Sequence, residues 1–186
     1  MGYALANEAQ KRGANVQLIS GPVSLKTPEN VERVDVKSTL EMKNEITKRF
    51  GKIDVLIMSA AVADYEPKNP ALNKIKKQDQ EISIQLKKTP DILKALAKSK
   101  KKQIVIGFAL ETDNETQNAL IKIKNKNLDA IVLNSLNDKG AGFGHDTNKV
   151  TFINKNGLVK KFDLKSKIDV SIDIFNELID GFYEKN

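Results

Sequence analysis

Apolar residues recur along the chain with two different periods, and the alternation of these periods predicts the fold. Within the first 51 residues, MGYALANEAQKRG and STLEMKNEITKRFG have apolar residues at helical spacing, whereas NVQLIS and VERVDV between them alternate as strands do. In the second helical segment Ser38 is the expected N-cap, Glu41 completes a capping box and Gly51 ends the helix. We therefore predict helix, strand, strand and helix in this region.

The same alternation continues to position 135. KIDVLIMSAAVADY is apolar without alternation, as expected for a strand that is covered on both faces of a parallel sheet. The pattern then predicts a strand in EISIQLKKT, a helix in PDILKALAKSKK, a strand in QIVIGFALET, a helix in NETQNALIKIKNKN and a strand in DAIVLNS. Strands that alternate with helices indicate an α/β fold with a Rossmann-like, doubly wound, mostly parallel sheet.

The pattern changes at Lys149. KVTFINKNGLVKKFDL predicts a β-hairpin that turns at Asn156-Gly157, and SKIDVSIDIFNELIDGFY predicts an amphipathic terminal helix. We expect a single domain over 1–186, made of a Rossmann-like nucleotide-binding part at 1–148, a hairpin appendage at 149–165 and a C-terminal helix at 166–186.

Composition narrows the classes of function. The 186 residues include no cysteine, which excludes disulfides and thiolate metal sites, and the single histidine, His145, has no second histidine with which to build a zinc site. No apolar run approaches the roughly 18 residues of a membrane helix. The net charge of +7 comes mostly from lysine, which favours contacts with phosphate over base-specific contacts with nucleic acid. We expect a cytoplasmic protein that binds neither membrane nor nucleic acid.

Parallel sheets bind ligands at the carboxyl ends of their strands, and two such ends carry candidate residues. After Met58, the small residues Ser59 and Ala60 allow close approach of a ligand and Asp64 can accept hydrogen bonds. The alternative is a tightly packed strand end with a capping aspartate. Phe108 is expected where another strand ends, and it either stacks on a base or fills the core.

Lysines supply most of the remaining candidates. Lys74 lies in a lysine-rich loop, KIKK, which either closes over a phosphate or is an ordinary solvated loop. The loop leads toward a helix start at Pro90 and Asp91, where unpaired backbone N–H groups would suit an anion. Lys122 and Lys126 share one helix face, where they either hold a polyphosphate or are solvated.

The order of these motifs resembles one protein family. RGANVQLISGPVSL, SAAVADY, KIKK, KKTPDIL, IGFALET and AGFGHDTNKV follow one another as in bacterial phosphopantothenoylcysteine synthetase, the phosphopantothenate–cysteine ligase of coenzyme A biosynthesis, and the resemblance covers essentially the whole chain. It implies a homodimer that binds CTP with magnesium and converts 4'-phosphopantothenate to an acyl-cytidylate with release of pyrophosphate. L-Cysteine then displaces CMP to form an amide.

The resemblance also implies roles for individual residues. It makes Lys74 the catalytically important lysine of the loop. It implies a CTP site made of Met58, Ser59, Ala60, Asp64, Lys74, Pro90, Asp91, Ile92, Leu93, Phe108, Lys122 and Lys126. It identifies no metal ligand in the protein, so magnesium would come with the nucleotide.

Members of this family begin with segments that should precede Met1 and are absent from the sequence. These segments are the first strand, a Gly-Pro-Thr turn and an asparagine that handles the acyl-cytidylate. The flavin-binding decarboxylase domain that bacterial members usually carry should also precede Met1, so we expect no flavin in this chain. We expect the first helix to pack against a sheet that lacks one strand, and the chain to bind nucleotide but catalyse weakly. A nicotinamide-dependent reductase and a non-catalytic nucleotide-binding module fit the same pattern.

Overall fold

The computed structural model describes residues 1–77, 81–135 and 144–183. The helices are α1 (Gly2–Lys11), α2 (Thr39–Phe50), α3 (Ile92–Ala97), α4 (Glu115–Lys126) and α5 (Lys167–Phe182). The strands are β1 (Gln17–Ser20), β2 (Glu32–Asp35), β3 (Val55–Met58), β4 (Tyr65–Pro67), β5 (Leu86–Lys88), β6 (Ile104–Glu111), β7 (Ala130–Ser135), β8 (Thr147–Asn148), β9 (Val150–Asn154), β10 (Val159–Lys161) and β11 (Lys165–Ser166). The start of the AGFGHDTNKV motif and the last three residues of the C-terminal segment lie outside the described residues.

The central sheet has five strands in the order β10-β9-β7-β6-β3. Strands β3, β6 and β7 are parallel, whereas β9 is antiparallel to β7 and β10 is antiparallel to β9. The predicted hairpin turns at Gly157, whose φ of 88° favours glycine. Through the pairing of β9 with β7 this hairpin continues the central sheet. The division into parts at 1–148, 149–165 and 166–186 stays a prediction.

Helices cover both faces of the central sheet. Because successive side chains of a strand point to opposite faces, β7 contributes Ile131 and Leu133 to one core and Ala130 and Val132 to the other. Helices α2, α3 and α4 pack into the first core, and α1 and α5 pack into the second. This two-sided burial explains why the β7 segment is apolar without alternation, and it confirms the predicted α/β class.

Strands β1 and β2 form a separate parallel pair. Among the described residues β1 pairs with β2 alone and β3 pairs with β6 alone, so the parallel strands fall into two sheets. Residues of α2, including Met42 and Ile46, share one core with Ile19 of β1 and Leu56 of β3. The expectation that α1 packs against a sheet lacking one strand stays a prediction.

Outside the central sheet lie also the end of one segment predicted as a strand, KIDVLIMSAAVADY, and the whole of another, EISIQLKKT. The strand that begins at Val55 ends at Met58, and β4 pairs antiparallel with β5 in a two-stranded ribbon. The prediction for EISIQLKKT was therefore wrong in its position and length, since only Leu86–Lys88 is a strand. Its apolar residues alternate, but the side chains of Ile84 and Leu86 are exposed, so neither face of the segment is covered by a core.

Helix ends follow the predicted signals in α2 but not in α3. In α2 the backbone N–H of Glu41 donates to Ser38 Oγ at 3.1 Å, and the Glu41 carboxylate accepts from the N–H of Lys37 at 2.8 Å. Helix α3 begins after the expected Asp91 but ends at Ala97, about one turn before the end of the predicted segment, because the N–H groups of Ser99 and Lys100 both bond to the carbonyl of Leu96. None of the helices in the described ranges combines the length and apolar content that a membrane span requires.

Candidate functional site

A cavity of about 510 Å³ opens at the carboxyl ends of β3 and β6. Eleven of the twelve residues that were predicted to form the CTP site line it: Met58, Ser59, Ala60, Asp64, Pro90, Asp91, Ile92, Leu93, Phe108, Lys122 and Lys126. The twelfth, Lys74, is exposed in the segment between β4 and β5 and is not part of this lining. The parallel strands therefore bring together residues that are distant in sequence, as expected at the carboxyl edge of such a sheet.

The loop after β3 forms one wall of the cavity. Met58 ends the strand and is buried, and it pairs with Gly107 of β6. Two hydrogen bonds tie the loop to the segment before α3: Thr89 Oγ1 donates to the carbonyl of Ala63 at 2.6 Å, and the N–H of Thr89 donates to the carbonyl of Asp64 at 2.9 Å. These bonds fix the backbone of two walls relative to each other and leave the Asp64 side chain exposed.

The start of α3 forms a second wall, and its charge differs from the prediction. Asp91 is the N-cap, and its carboxylate accepts from the N–H of Lys94 at 3.0 Å. The same carboxylate lies 3.0 Å from Lys126 Nζ. Partial burial opposes the ionisation of Asp91, but the bonds from Lys94 and Lys126 outweigh it and keep its pKa below the ordinary value. Of the N–H groups expected to be unpaired, that of Lys94 is thus already capped, and Lys126 supplies the positive charge of this wall.

Phe108 and Gly107 lie within β6, which continues to Glu111, so the prediction that the strand ends at this point was wrong. Phe108 lines the cavity and also packs against the core on the α1 and α5 side. A Cβ atom on Gly107 would lie 2.9 Å from Leu128 Cδ1 and 3.5 Å from Leu93 Cδ1. The absence of a side chain at Gly107 therefore makes room for the buried side chain of Leu128, whereas Leu93 lies at ordinary contact distance.

Helix α4 contributes the two predicted lysines, and each of them has a carboxylate partner. Lys122 forms an ion pair with Glu111, and Lys126 forms the pair with Asp91. The Glu111 side chain is only 13% exposed and also accepts from Asn118 Nδ2 at 3.3 Å. Sequence reasoning missed Glu111, because its position directly after the apolar part of β6 gave no sign of a partner on α4.

A further part of the lining was not predicted. It consists of Asn134 at the end of β7, Gly144, Asn148 and Lys167 at the start of α5. Asn148 Nδ2 donates to Asn134 Oδ1 at 3.2 Å, and the ammonium of Lys167 donates to the carbonyl of His145. The strand-end position of Asn134 was a usable signal. No comparable sequence signal marked Lys167, since it opens a helix that the pattern assigned to a separate segment.

Comparison with known proteins identifies the family. Residues 1–182 match the model of the DNA/pantothenate metabolism flavoprotein C-terminal domain. The chain belongs to this family. The resemblance that the motif order predicted is thereby confirmed.

Relatives of this family member span about twice its length. It is 46% identical over 179 residues to the coenzyme A biosynthesis bifunctional protein CoaBC of Bacillus subtilis (strain 168), covering 96% of this chain and 44% of that protein. It is 40% identical over 190 residues to CoaBC of Escherichia coli (strain K12), and the match covers 100% of this chain and 47% of that protein. A protein of an unknown prokaryotic organism named cysteine/cysteine sulfinic acid decarboxylase is 48% identical over 181 residues, covering 96% and 50%. The chain therefore spans about half the length of the relatives that it matches.

Solved structures of the family have the same fold. The crystal structure of the C-terminal domain of the coenzyme A biosynthesis bifunctional protein CoaBC matches with a TM-score of 0.80 and 38% identity, covering 95% of this chain and 79% of that one. The DNA/pantothenate metabolism flavoprotein from Streptococcus pneumoniae matches with a TM-score of 0.78 at 22% identity, covering 97% of this chain and 87% of that one. At that identity the second match shows the fold alone.

This family member has a second cavity, of about 470 Å³, at the amino ends of β3 and β6. Its lining includes Lys100, Asp129 and Lys155, and the carboxylate of Asp129 lies 2.5 Å from Lys100 Nζ and 2.8 Å from Lys155 Nζ. The two lysines thus share one buried aspartate as their ion-pair partner. Ligands of α/β sheets bind at the carboxyl edge, so the first cavity is the candidate site.

Proposed function

We propose that this chain is a CTP-dependent phosphopantothenate–cysteine ligase of coenzyme A biosynthesis. One observation carries the proposal: eleven of the twelve residues that the resemblance assigns to a CTP site line one cavity at the carboxyl edge of the sheet. The identity of 46% and 40% with two CoaBC proteins, over nearly the whole of this chain, supports the same function. These relatives are about twice as long, so the proposal concerns only the ligase reaction.

The proposed reaction has two steps. A carboxylate oxygen of 4'-phosphopantothenate attacks the α-phosphorus of CTP, and the bond from that phosphorus to the bridging oxygen breaks as pyrophosphate leaves. The amine of L-cysteine then attacks the acyl carbon, CMP leaves with the electron pair of the broken bond, and the amine loses a proton to form the amide. An unactivated carboxylate is a poor acceptor, so the first step supplies the leaving group. Cations placed at the departing pyrophosphate lower the barrier of that step.

The walls of the cavity suit different parts of the nucleotide. The small residues Ser59 and Ala60 permit close approach to the backbone at the end of β3, and the ring of Phe108 offers a surface for the base. Lys122 and Lys126 face the same space and suit a triphosphate. We assign Lys74 to the first step on the resemblance alone, as the lysine that stabilises the departing pyrophosphate.

Magnesium, when bound with CTP, neutralises part of the triphosphate charge. Mg²⁺ is usually held by one or two carboxylates together with substrate phosphates. The described residues contain no cluster of three or more acidic, histidine or cysteine side chains that would hold a metal ion by itself. Asp64 and Asp91 line the cavity and provide carboxylate oxygens, so the residues present fit an ion that arrives with the nucleotide.

Titration calorimetry with CTP and magnesium, with ATP and NADPH as comparators, tests the nucleotide assignment. We expect selective binding of CTP, and pyrophosphate release that requires 4'-phosphopantothenate. Lys122→Gln and Lys126→Gln should each weaken CTP binding by roughly tenfold or more. Lys124→Gln is the matched control, because Lys124 lies on the same helix, is exposed and does not line the cavity. Binding of NADPH in place of CTP would favour a reductase, and CTP binding without pyrophosphate release would favour a non-catalytic module.

A further inference from the structure

Cations reach the cavity from both faces of the central sheet. Lys122 and Lys126 belong to α4, which packs into the core that contains Ala119 and Ile123. Lys167 belongs to α5, which packs by its apolar side into the other core. The three ammonium groups therefore approach the carboxyl edge from opposite sides of the sheet, so that a ligand lying across this edge contacts both sides.

The cations of the two sides differ in how they are neutralised. On the α4 side, Lys122 pairs with Glu111 and Lys126 pairs with Asp91. On the α5 side, the ammonium of Lys167 donates to the backbone carbonyl of His145. Within the part of the chain that the structure describes, no carboxylate forms an ion pair with Lys167. A carbonyl is a neutral partner, so the charge of Lys167 is available to an anionic ligand.

The surroundings of Lys167 provide further hydrogen-bonding groups. Its side chain is half-buried, and its backbone N–H donates to the carbonyl of Asp146 at 2.9 Å, which holds the start of α5 in place. Asn134 and Asn148 line the same cavity, and Asn148 is only 1% exposed. Asn148 Nδ2 donates to Asn134 Oδ1 at 3.2 Å, and the amide N–H groups of Asn134, next to an ammonium, are donors that suit phosphate oxygens. A fixed cation costs less conformational entropy on binding than a lysine on an open loop.

We propose that Lys167, together with Asn134, forms an anion subsite that takes a phosphate group of a bound substrate. The proposal rests on the proposed function and adds a residue to the site. Both substrates that the ligase reaction requires at once carry phosphate: the nucleotide carries a triphosphate, and 4'-phosphopantothenate carries a monoester at the end of the molecule remote from its reacting carboxylate. The chemistry at Lys167 is the same for either source, and the two sources are separated by experiment.

The test compares Lys167→Gln with the wild-type chain in calorimetric titrations with CTP and magnesium, 4'-phosphopantothenate and pantothenate, which lacks the phosphate. Loss of one charge-assisted contact should weaken binding of the affected ligand by roughly tenfold or more. If Lys167 holds the monoester, the preference for 4'-phosphopantothenate over pantothenate shrinks by that factor and CTP binding is unchanged. If Lys167 holds the triphosphate, CTP binding weakens instead. Lys167→Arg keeps the charge and should restore most of the affinity.

Lys165→Gln is the matched control, since it removes one positive charge two residues away. Lys165 Nζ lies 2.9 Å from Asp173 Oδ2, and the residue does not line the cavity. If the wild-type chain binds both phosphate-bearing ligands and Lys167→Gln binds them with the same affinity, the subsite proposal is wrong and the ligase assignment is unaffected. A wild-type chain that binds neither ligand overturns both. Thermal unfolding of each variant checks that the comparison is between folded proteins.

Discussion

Replacement of Asp129 by asparagine tests how strongly one buried carboxylate stabilises the fold. Asp129 precedes β7, and its carboxylate accepts from Lys100 Nζ at 2.5 Å, Lys155 Nζ at 2.8 Å and the N–H of Val105 at 2.8 Å. Its side chain is 6% exposed. The carboxylate therefore joins the end of α3, the strand β6 and the turn after β9 at the amino edge of the sheet.

The three contacts contribute unequally. The Lys100 side chain is 9% exposed, so Asp129→Asn removes the carboxylate from a nearly buried ammonium and leaves it the neutral carbonyl of Asn127 at 2.8 Å, whereas loss of one partner of a fully buried pair costs about 3–5 kcal/mol. The Lys155 side chain is 52% exposed, and its pair contributes at most about 1 kcal/mol. Asparagine keeps an oxygen that can accept from Val105. We expect the free energy of unfolding to fall by about 3 kcal/mol, a large part of the ~5–15 kcal/mol typical of a domain.

Urea unfolding of wild type and Asp129→Asn at several pH values measures this loss and its origin. Burial opposes the ionisation of Asp129, but the bonds from Lys100, Lys155 and Val105 outweigh it, so the pKa of the folded state lies below the ordinary value. A depressed pKa stabilises the folded state above the unfolded pKa of about 3.9, and the stabilisation is lost as the pH falls through the folded value. The difference between the two proteins should therefore be constant from about pH 7 to pH 5 and shrink below about pH 4.

Asp54→Asn is the matched control at the same edge. Asp54 lies 3.9 Å from Lys102 Nζ, and both side chains are largely exposed, so its replacement should leave the unfolding free energy nearly unchanged. A loss below about 1 kcal/mol for Asp129→Asn would contradict the assignment of a buried ion pair. A difference that already declines between about pH 7 and pH 5 would contradict the direction of the pKa shift. CTP binding should persist in Asp129→Asn, because the candidate site lies at the opposite edge.

Three further predictions concern Lys74, Gly107 and the oligomeric state of the chain. Lys74→Gln should leave thermal unfolding unchanged and slow pyrophosphate release by roughly a hundredfold, and an unchanged rate would remove Lys74 from the catalytic step. Gly107→Ala should lower the free energy of unfolding by about 1–3 kcal/mol, because its Cβ would lie 2.9 Å from Leu128 Cδ1 and displace that side chain. Urea unfolding measures the loss, and a wild-type value would contradict the packing. Sedimentation velocity should find twice the 20.7 kDa mass of the chain if it is a homodimer, whereas a single-chain mass at micromolar concentration would argue against one.

The kinds of element could be predicted from the sequence because their signals are local. The capping residues of α2 and the Asn156-Gly157 turn of the hairpin act within a few positions of the elements that they define. The position of a strand in a sheet depends instead on a distant partner. Leu86–Lys88 alternates as a strand should, but its partner is Tyr65–Pro67, and no feature of either segment specifies this pairing over one in the central sheet.

The location of the site could be predicted because it follows from topology, whereas its ion pairs could not. The carboxyl ends of β3 and β6 meet at one edge in any parallel arrangement, so Met58 and Phe108 were expected to lie near one another. The pairing of Lys122 with Glu111 depends on the path of the chain between β6 and α4, which includes a left-handed conformation at Asn114. The sequence reveals the residues on each side of that turn but not the angle at which α4 leaves it.

The ion pairs change how the lysine-rich composition should be understood. A net charge of +7 suggests a surface that attracts phosphate in general, yet both lysines of α4 that line the cavity are held by carboxylates, Lys122 by Glu111 and Lys126 by Asp91. Such pairs keep two like charges close together in the unliganded cavity without mutual repulsion. An entering anion then has to replace a carboxylate, so a single phosphate gains little and a triphosphate, which engages several cations at once, gains more. If the proposed function is correct, we therefore expect the site to prefer CTP over CMP, which suits a reaction that binds the first and releases the second.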